Sequence, residues 1–288
     1  MNIVRTRADE MAAPVLALEV DGAIYDVVTL EERWGVTPWS TSGDFHARVF
    51  SARAAGLDLL DARLRGGDRP TEARLLARDL LPLPPCDTER TTYIQMAPGA
   101  QAPRAPRFVA LEARSMLGDG QPVPLRGGPR VEVGVAALLG DDLYDAVPRE
   151  AACAVLGWTL VADWSPCDRW ASPPAGPDGP SQLGPAIVTG LAMRDLVKME
   201  ARVEVGDAPV RSLGPVGVRG WHPSEALAYV SRAMPLRTGD VVGLGAVAVI
   251  ELRFGDRLRF SVRGRTRHLG ALEGWAVPAP SISGWRLK

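Results

Sequence analysis

The feature that most constrains this chain is a series of short apolar runs that begins after residue 88. They are Phe108-Val109-Ala110-Leu111, Val131 to Leu139, Thr159-Leu160-Val161, Ala186-Ile187-Val188, Ala201 to Val205, Val241 to Leu252 and Leu258 to Val262. Runs of this size suit strands and fall far short of the ~20 apolar residues of a membrane helix. Only two segments among them read as helices, Val147 to Leu156 and Pro223 to Met234. Each has a proline in its first turn and a glutamate, Glu150 or Glu225, near the positive helix end. Many strands with few helices predict an α+β, strongly β-rich fold, a sandwich or a rolled barrel.

The first 85 residues have a different texture. Asp21-Gly22 between two alternating apolar segments, within Val15 to Leu30, is a hairpin signal. Phe45, Val49, Ala52, Leu59, Leu60 and Leu64 recur at helical spacing, with Ser42 able to cap the start and Gly66-Gly67 to stop the helix. Thr71 to Leu80 reads as a second short helix capped by Thr71. Leu81-Pro82-Leu83-Pro84-Pro85 is held extended by its prolines and reads as a linker. The expected organisation is therefore a small N-terminal α+β domain over 1–85 and a β-rich core over 86–288.

Charge narrows the function classes. With 33 basic and 34 acidic residues interspersed, the net charge is -1, so no nucleic-acid partner is expected. Met1 to Glu10 is charged and lacks the apolar stretch of a secretory leader, and no membrane partner is expected. Three widely spaced cysteines, Cys86, Cys153 and Cys167, form no CxxC pair, which points to a reducing cytoplasm. Of the basic residues only Lys198 and Lys288 are lysines. Chemistry that needs a lysine to shed its proton thus has few candidates, since arginine does not deprotonate. Lys198, in Leu196-Val197-Lys198-Met199-Glu200, reads as a solvated surface residue.

Six motifs in order carry a resemblance to a known family. They are Leu81-Pro82-Leu83-Pro84-Pro85; Glu132-Val133-Gly134 through Gly140; Gly157-Trp158-Thr159 through Asp163-Trp164-Ser165; Gly184-Pro185-Ala186-Ile187-Val188-Thr189; Leu236-Arg237-Thr238-Gly239-Asp240-Val241-Val242; and Gly255-Asp256. Over roughly 81 to 270 the chain resembles the fumarylacetoacetate hydrolase family, which includes acylpyruvases, decarboxylases, isomerases and hydratases. The resemblance implies that family's mixed β-sandwich or roll, and a homodimer. It also implies Mg²⁺ or Mn²⁺ held by three carboxylates, two from a Glu-x-Glu strand and one from an Asp-x-Ser segment, acting on a small oxo acid through an enolate.

Measured against that pattern, Glu132 stands at the first carboxylate position and Asp163 at the third, but the second is Gly134. The family's arginine after Asp-x-Ser is Cys167, its lysine falls near Ala175, and its Thr-Gly-Thr-Pro segment is Leu244-Gly245-Ala246-Val247. Its Asn-Tyr-x-x-His-x-x-Glu segment is Tyr93-Ile94-Gln95-Met96-Ala97-Pro98, without the His or Glu. The expectation is a retained scaffold with altered chemistry. Glu132 and Asp163 are the candidate catalytic carboxylates and the ligands of Mg or Mn if a metal binds at all, with no cofactor the favoured expectation. Buried carboxyls of this kind serve as acid and base.

Around them, Asp168 and Arg169 are candidates for orienting a small-molecule substrate. Trp158, Trp164 and Trp170 are candidates for walling an apolar pocket, with core packing the equal alternative. Of the three histidines, His46, His222 and His268, His222 is the one placed beside the site by the resemblance, and capping is its bland reading. Cys167 has no histidine partner in sequence for a nucleophilic role. Arg263, Arg265 and Arg267 alternate as if on one exposed strand face.

Overall fold

The computed structural model describes residues 1–36, 45–50, 55–96, 108–167, 179–216 and 221–279. The strands are β1 (Asn2–Arg7), β2 (Val15–Val20), β3 (Ala23–Asp26), β4 (Arg74–Leu75), β5 (Leu81–Pro82), β6 (Thr92–Met96), β7 (Phe108–Glu112), β8 (Pro122–Leu125), β9 (Pro129–Leu139), β10 (Val155–Pro166), β11 (Ser181–Thr189), β12 (Glu200–Val205), β13 (Arg211–Pro215), β14 (Val241–Glu251), β15 (Arg257–Arg263) and β16 (His268–Pro278). The helices are α1 (Val27–Trp34), α2 (Phe45–Phe50), α3 (Ala55–Arg65), α4 (Pro148–Ala154), α5 (Met193–Leu196) and α6 (Pro223–Ala233).

Two sheets carry the fold. The larger runs β4-β3-β2-β1-β11-β10-β9-β14-β6-β7, with β5 beside β1; the smaller runs β13-β12-β15-β16-β8. This is the β-rich α+β architecture that the apolar runs predict. Along the central strands the side chains alternate between two cores. Val131, Val133, Val135 and Ala137 of β9 join Trp158, Leu160, Ala162 and Trp164 of β10 in a core shared with Val203, Leu258 and Phe260 of the smaller sheet. Ala136, Leu138 and Val161 face the other way, into a core with Leu30, Val49, Leu60, Leu64 and Tyr93.

The leading segment is hydrogen-bonded into the same sheet. Asn2 and Ile3 pair with Val188 and Ile187 of β11. The proline-rich stretch lies along β1, where Leu81 and Pro82 pair with Arg7 and Thr6 and the Leu83 N–H donates to the Arg5 carbonyl.

Three local expectations need correction. Thr71 to Leu80 is not a helix: Thr71–Ala73 and Ala77–Asp79 are single 3₁₀ turns, and Arg74–Leu75 between them is an edge strand on β3. Pairing to an available sheet edge outweighs the helical spacing of a few leucines. The apolar segment after Asp21-Gly22 is strand only to Asp26: Val27 and Val28 open α1, because the Asp26 carboxylate accepts from the Val28 and Thr29 N–H groups. The arginines from 263 to 267 share no strand face, since β15 ends at Arg263 and a turn carries the chain into β16. The expected cap Ser42 lies outside the described residues. Among the described residues no helix is long and apolar enough to cross a membrane.

Candidate functional site

The site is built on the middle of the large sheet. β9 and β10 run antiparallel with Glu132 directly opposite Asp163. Directly opposed residues project from the same sheet face with Cβ atoms ~5 Å apart, so the two carboxylates that the sequence singles out are brought together. Both are buried, Glu132 at 4% exposure and Asp163 at 9%. Buried carboxylates need partners. Asp163 accepts from the Tyr93 hydroxyl at 3.0 and 2.9 Å and from the Ser181 hydroxyl at 2.5 Å. Glu132 lies 3.4 Å from the Arg130 guanidinium, two residues along the same face.

Tyr93 and Ser181 are partners of Asp163 that sequence reasoning missed. Tyr93 is 1% exposed and comes from β6, which pairs with β14. Ser181 opens β11 and is directly opposite Asp163 there. Burial, and then the charge of Asp163 beside it, push the Tyr93 phenol well above its ordinary pKa. It therefore stays a neutral O–H donor at every working pH. The sequence signal for Tyr93 was its place in the degenerate Tyr93-to-Pro98 segment. Ser181 carried none.

Tyr93, Met96, Glu132, Gly134, Val161, Asp163, Gly243, Gly245 and Ala246 line one small pocket. About 10 Å³ of it is open to the centre of a water-sized sphere, near the ~10–15 Å³ that one water requires. Part of the reason lies in β14. Its pairing with β9 shifts register between Gly243 and Ala246 and again before Ala248. Gly245 sits there at φ +88°, a left-handed conformation that suits glycine. A Cβ on Gly134 would lie 2.6 Å from the Gly245 carbonyl oxygen. Main chain thus occupies the space a side chain at position 134 would need.

That geometry tests the three-carboxylate centre, and the described residues do not fit it. The second ligand position is glycine with its side-chain space closed. The Asp163 oxygens receive hydroxyl protons, and a guanidinium stands beside Glu132. Among the described residues no three His, Cys, Asp or Glu side chains come together as a metal-holding group.

The other candidates separate. Asp168, Arg169 and Trp170 lie outside the described residues. Trp158 and Trp164 are corrected from pocket wall to core. Even-numbered residues of β10 project away from Asp163, and both indoles are about 1% exposed in the core between the sheets. Their N–H groups are satisfied there, Trp158 by the Leu191 carbonyl at 2.9 Å and Trp164 by the Gln182 side-chain oxygen at 2.8 Å. His222 caps α6: its Nδ1 accepts from the Ser224 N–H at 3.4 Å and lies 2.7 Å from the Ser224 hydroxyl. It does not line the pocket.

A model of the C-terminal domain of fumarylacetoacetate (FAA) hydrolase matches residues 86–275. The chain belongs to the fumarylacetoacetate hydrolase family. Its fold is shared with several solved members. Maleylpyruvate hydrolase from Sphingobium sp. SYK-6, solved with manganese(II) and pyruvate, superposes with a TM-score of 0.72 at 18% identity, over 97% of this chain and 100% of that one. The 2-hydroxyhepta-2,4-diene-1,7-dioate isomerase of Mycobacterium marinum gives 0.70 at 18% identity, over 96% and 98%. The fumarylacetoacetate hydrolase of Exiguobacterium antarcticum gives 0.70 at 19% identity, over 97% and 100%. No curated protein matches the chain by sequence. The family thus includes isomerases and hydrolases of small carbonyl acids, and at least one member takes manganese.

Proposed function

We propose that this family member is an enzyme that moves protons on a carbonyl or enol substrate with weak or no dependence on metal. The observation that carries the reading is the buried pair of Glu132 and Asp163, directly opposed, with Asp163 held by two hydroxyls. One carboxylate of the pair takes the proton from the carbon beside a substrate carbonyl. The C–H electron pair becomes the new C=C bond as the carbonyl π pair moves to oxygen, giving an enol or enolate. The proton then returns to a different atom, which isomerises the substrate. Cyclisation and C–C cleavage draw on the same intermediate. The Tyr93 and Ser181 hydroxyls are positioned to orient Asp163, as a second partner orients a catalytic base. The Arg130 guanidinium supplies positive charge beside Glu132.

The pocket holds about one water as it stands, so the reacting end of a substrate enters only as the lining residues give way. With Trp158 and Trp164 in the core, preference for an apolar carbonyl compound rests on Met96, Val161 and Ala246. A place in secondary-metabolite biosynthesis and a homodimeric state complete the proposal.

The test is exchange of the protons beside a ketone for deuterium, followed by NMR in EDTA-treated buffer over a panel of β-diketones and 2-oxo acids. Glu132→Gln and Asp163→Asn should each lower the rate by at least ~100-fold, the usual worth of a positioned acid or base. Turnover seen only after Mn²⁺ is added favours the second reading, a metal-dependent hydrolase or decarboxylase of a small oxo acid. That reading draws support from the manganese and pyruvate of the Sphingobium neighbour. Unchanged rates in both variants would mean that the pair is structural, and would favour a catalytically silent binding protein.

A further inference from the structure

Just before β8, residues Leu117 to Gln121 form a junction that joins β5, β11 and β16. The Leu117 N–H donates to the Ser181 carbonyl at 2.8 Å, and the Leu183 N–H donates to the Leu117 carbonyl at 3.0 Å. These bonds lie on the edge of β11 that faces away from β10. Further along, β1 covers that edge at Ile187 and Val188; from Ser181 to Leu183 it is covered by Leu117. Ser181 is the residue whose hydroxyl donates to Asp163 at 2.5 Å. The junction therefore holds the main chain of a partner of the carboxylate pair.

Asp119 fastens the other side of the junction. Its Oδ1 accepts from the Glu273 N–H of β16 at 2.6 Å, and the Gly120 N–H donates to the Glu273 carbonyl at 2.9 Å. Gln121 donates to the Pro82 carbonyl of β5 at 3.0 Å and accepts from the Gly118 N–H at 3.1 Å. The Gln182 amide donates to the Gly118 and Gln121 carbonyls at 3.3 and 2.9 Å. Main-chain groups that leave water are matched here, and the ionisable side chain that helps to match them is Asp119.

Asp119 is half-buried against β11, where a Cβ on Gly184 would lie 3.3 Å from its own Cβ. The charged groups facing it are Glu273 of β16 and Arg259 of β15. Those two are paired with each other at 3.2 Å. β11 presents Gly184 and Gln182, and β5 presents Pro82, none of which titrates. A carboxylate placed here gives up water beside another carboxylate. Burial, ahead of every other cause, pushes it up to about 6.

We propose that Asp119 is a positioning residue of the carboxylate site, fastening the junction while neutral and loosening it once ionised. The ionised side chain is relieved by reaching water, and that movement breaks its bond to Glu273. Leu117 then slackens on β11, and the Ser181 hydroxyl loses its fixed place on Asp163. Because the folded carboxyl is raised, the fastened state is favoured at low pH and lost as pH rises through about 6. The consequence for catalysis rests on the proton-transfer reading above; the loosening itself does not.

The test is residue-resolved amide hydrogen exchange of the full chain by NMR from pH 5 to 8, each rate divided by its intrinsic value. The Leu117, Leu183 and Glu273 amides report on the junction, and those of β9 on global opening. Junction amides should exchange faster than those of β9. Their opening should grow roughly tenfold across the range, as expected for a carboxyl near 6 when fastened and at its ordinary value when released. Asp119→Asn keeps the acceptor without the charge and should hold the junction at its pH 5 level. Arg259 is exposed, so Arg259→Gln should fold, and removing its charge should move the midpoint up. The ¹³C carboxyl signal of Asp163 should shift with the same midpoint in wild type and lose that shift in Asp119→Asn. In the ketone-exchange assay, kcat of Asp119→Asn relative to wild type should climb with pH at a constant KM ratio. An Asp163 signal that follows the Asp119 midpoint while no ketone is turned over upholds the positioning role and counts against the proton-transfer reading. The proposal is overturned by equal pH trends in wild type and Asp119→Asn, by junction amides no faster than those of β9, or by an Asp163 signal indifferent to Asp119.

Discussion

Substituting Gly134 probes the closed ligand position directly. The Gly134→Ala variant places a methyl 2.6 Å from the Gly245 carbonyl oxygen and 3.7 Å from a Val161 methyl. Real Cβ atoms do not approach within 3.0 Å of another heavy atom, and the obstacle here is main chain of an adjacent central strand. The conflict is relieved only if β14 shifts against β9. Overpacking of this kind costs about 1–3 kcal/mol. For a chain of this size that lowers the melting temperature by roughly 4–8 °C near the middle of the range. Gly128→Ala is the control. Its Cβ would meet only Cys167, the sulfur at 3.6 Å and the Cβ at 3.9 Å, both ordinary contacts, and the expected change is within about 0.5 kcal/mol. Gly134→Glu extends the test. It restores the family's carboxylate in name, yet it should destabilise more than alanine and gain no metal affinity. Differential scanning calorimetry on the three variants reads the first part, and Mn²⁺ titration reads the second. A Gly134→Ala protein as stable as wild type, or a Gly134→Glu protein that folds and binds Mn²⁺ tightly, would falsify the closed-strand reasoning.

Other outcomes follow from buried groups. Tyr93→Phe removes a donor from buried Asp163 and should cost about 1–3 kcal/mol in urea unfolding; a neutral result would mean Asp163 does not need that hydroxyl. Burial above all pushes the Asp119 carboxyl up to about 6, against the hydrogen bond it accepts from the Glu273 N–H at 2.6 Å. A raised carboxyl favours the folded state below its unfolded pKa and loses that contribution as pH rises through about 6. The loss is up to roughly 3 kcal/mol between pH 4 and 7. Asp119→Asn keeps the acceptor and should flatten that part of the stability profile, becoming more stable than wild type at pH 7.5; parallel profiles would contradict it. Burial likewise pushes the Cys86 thiol up to about 12, while Cys153 and Cys167 are exposed. A disulfide reagent should therefore titrate two thiols in the native protein and the third only after unfolding.

How much of this was legible in the sequence depended on how local the cause was. The apolar runs became β9, β10 and β11 because a strand buried on both faces reads as a continuous hydrophobic stretch, while β15 alternates, burying Leu258, Phe260 and Val262 and exposing Arg257, Arg259 and Arg263. Asp21-Gly22 marked its hairpin for a similarly local reason. β1 could not be read from Met1 to Glu10, since its place is set by β11 some 180 residues later. Thr71 to Leu80 failed because a distant edge, that of β3, recruited two of its residues. In the site, Glu132 and Asp163 came from the family pattern, and the pairing register then placed them face to face. Trp158 and Trp164 differ from Asp163 by odd numbers of residues, so strand alternation alone places them on the face opposite it. The bonds of Tyr93 and Ser181 to Asp163 could not be read because each residue reaches it from a different strand, and only the order of the sheet makes them neighbours. The closure at Gly134 was half legible. The missing side chain was plain, but the carbonyl filling its place belongs to a bulge that leaves no mark beyond Gly245.

The central claim is that this family member keeps its carboxylate pair while closing the second ligand position of a metal centre. Calorimetric titration of Mn²⁺ into the wild-type protein, with and without oxalate, tests it most directly. The account predicts no saturable binding tighter than millimolar, and an unchanged trace for Glu132→Gln. Micromolar binding that Glu132→Gln abolishes would contradict it.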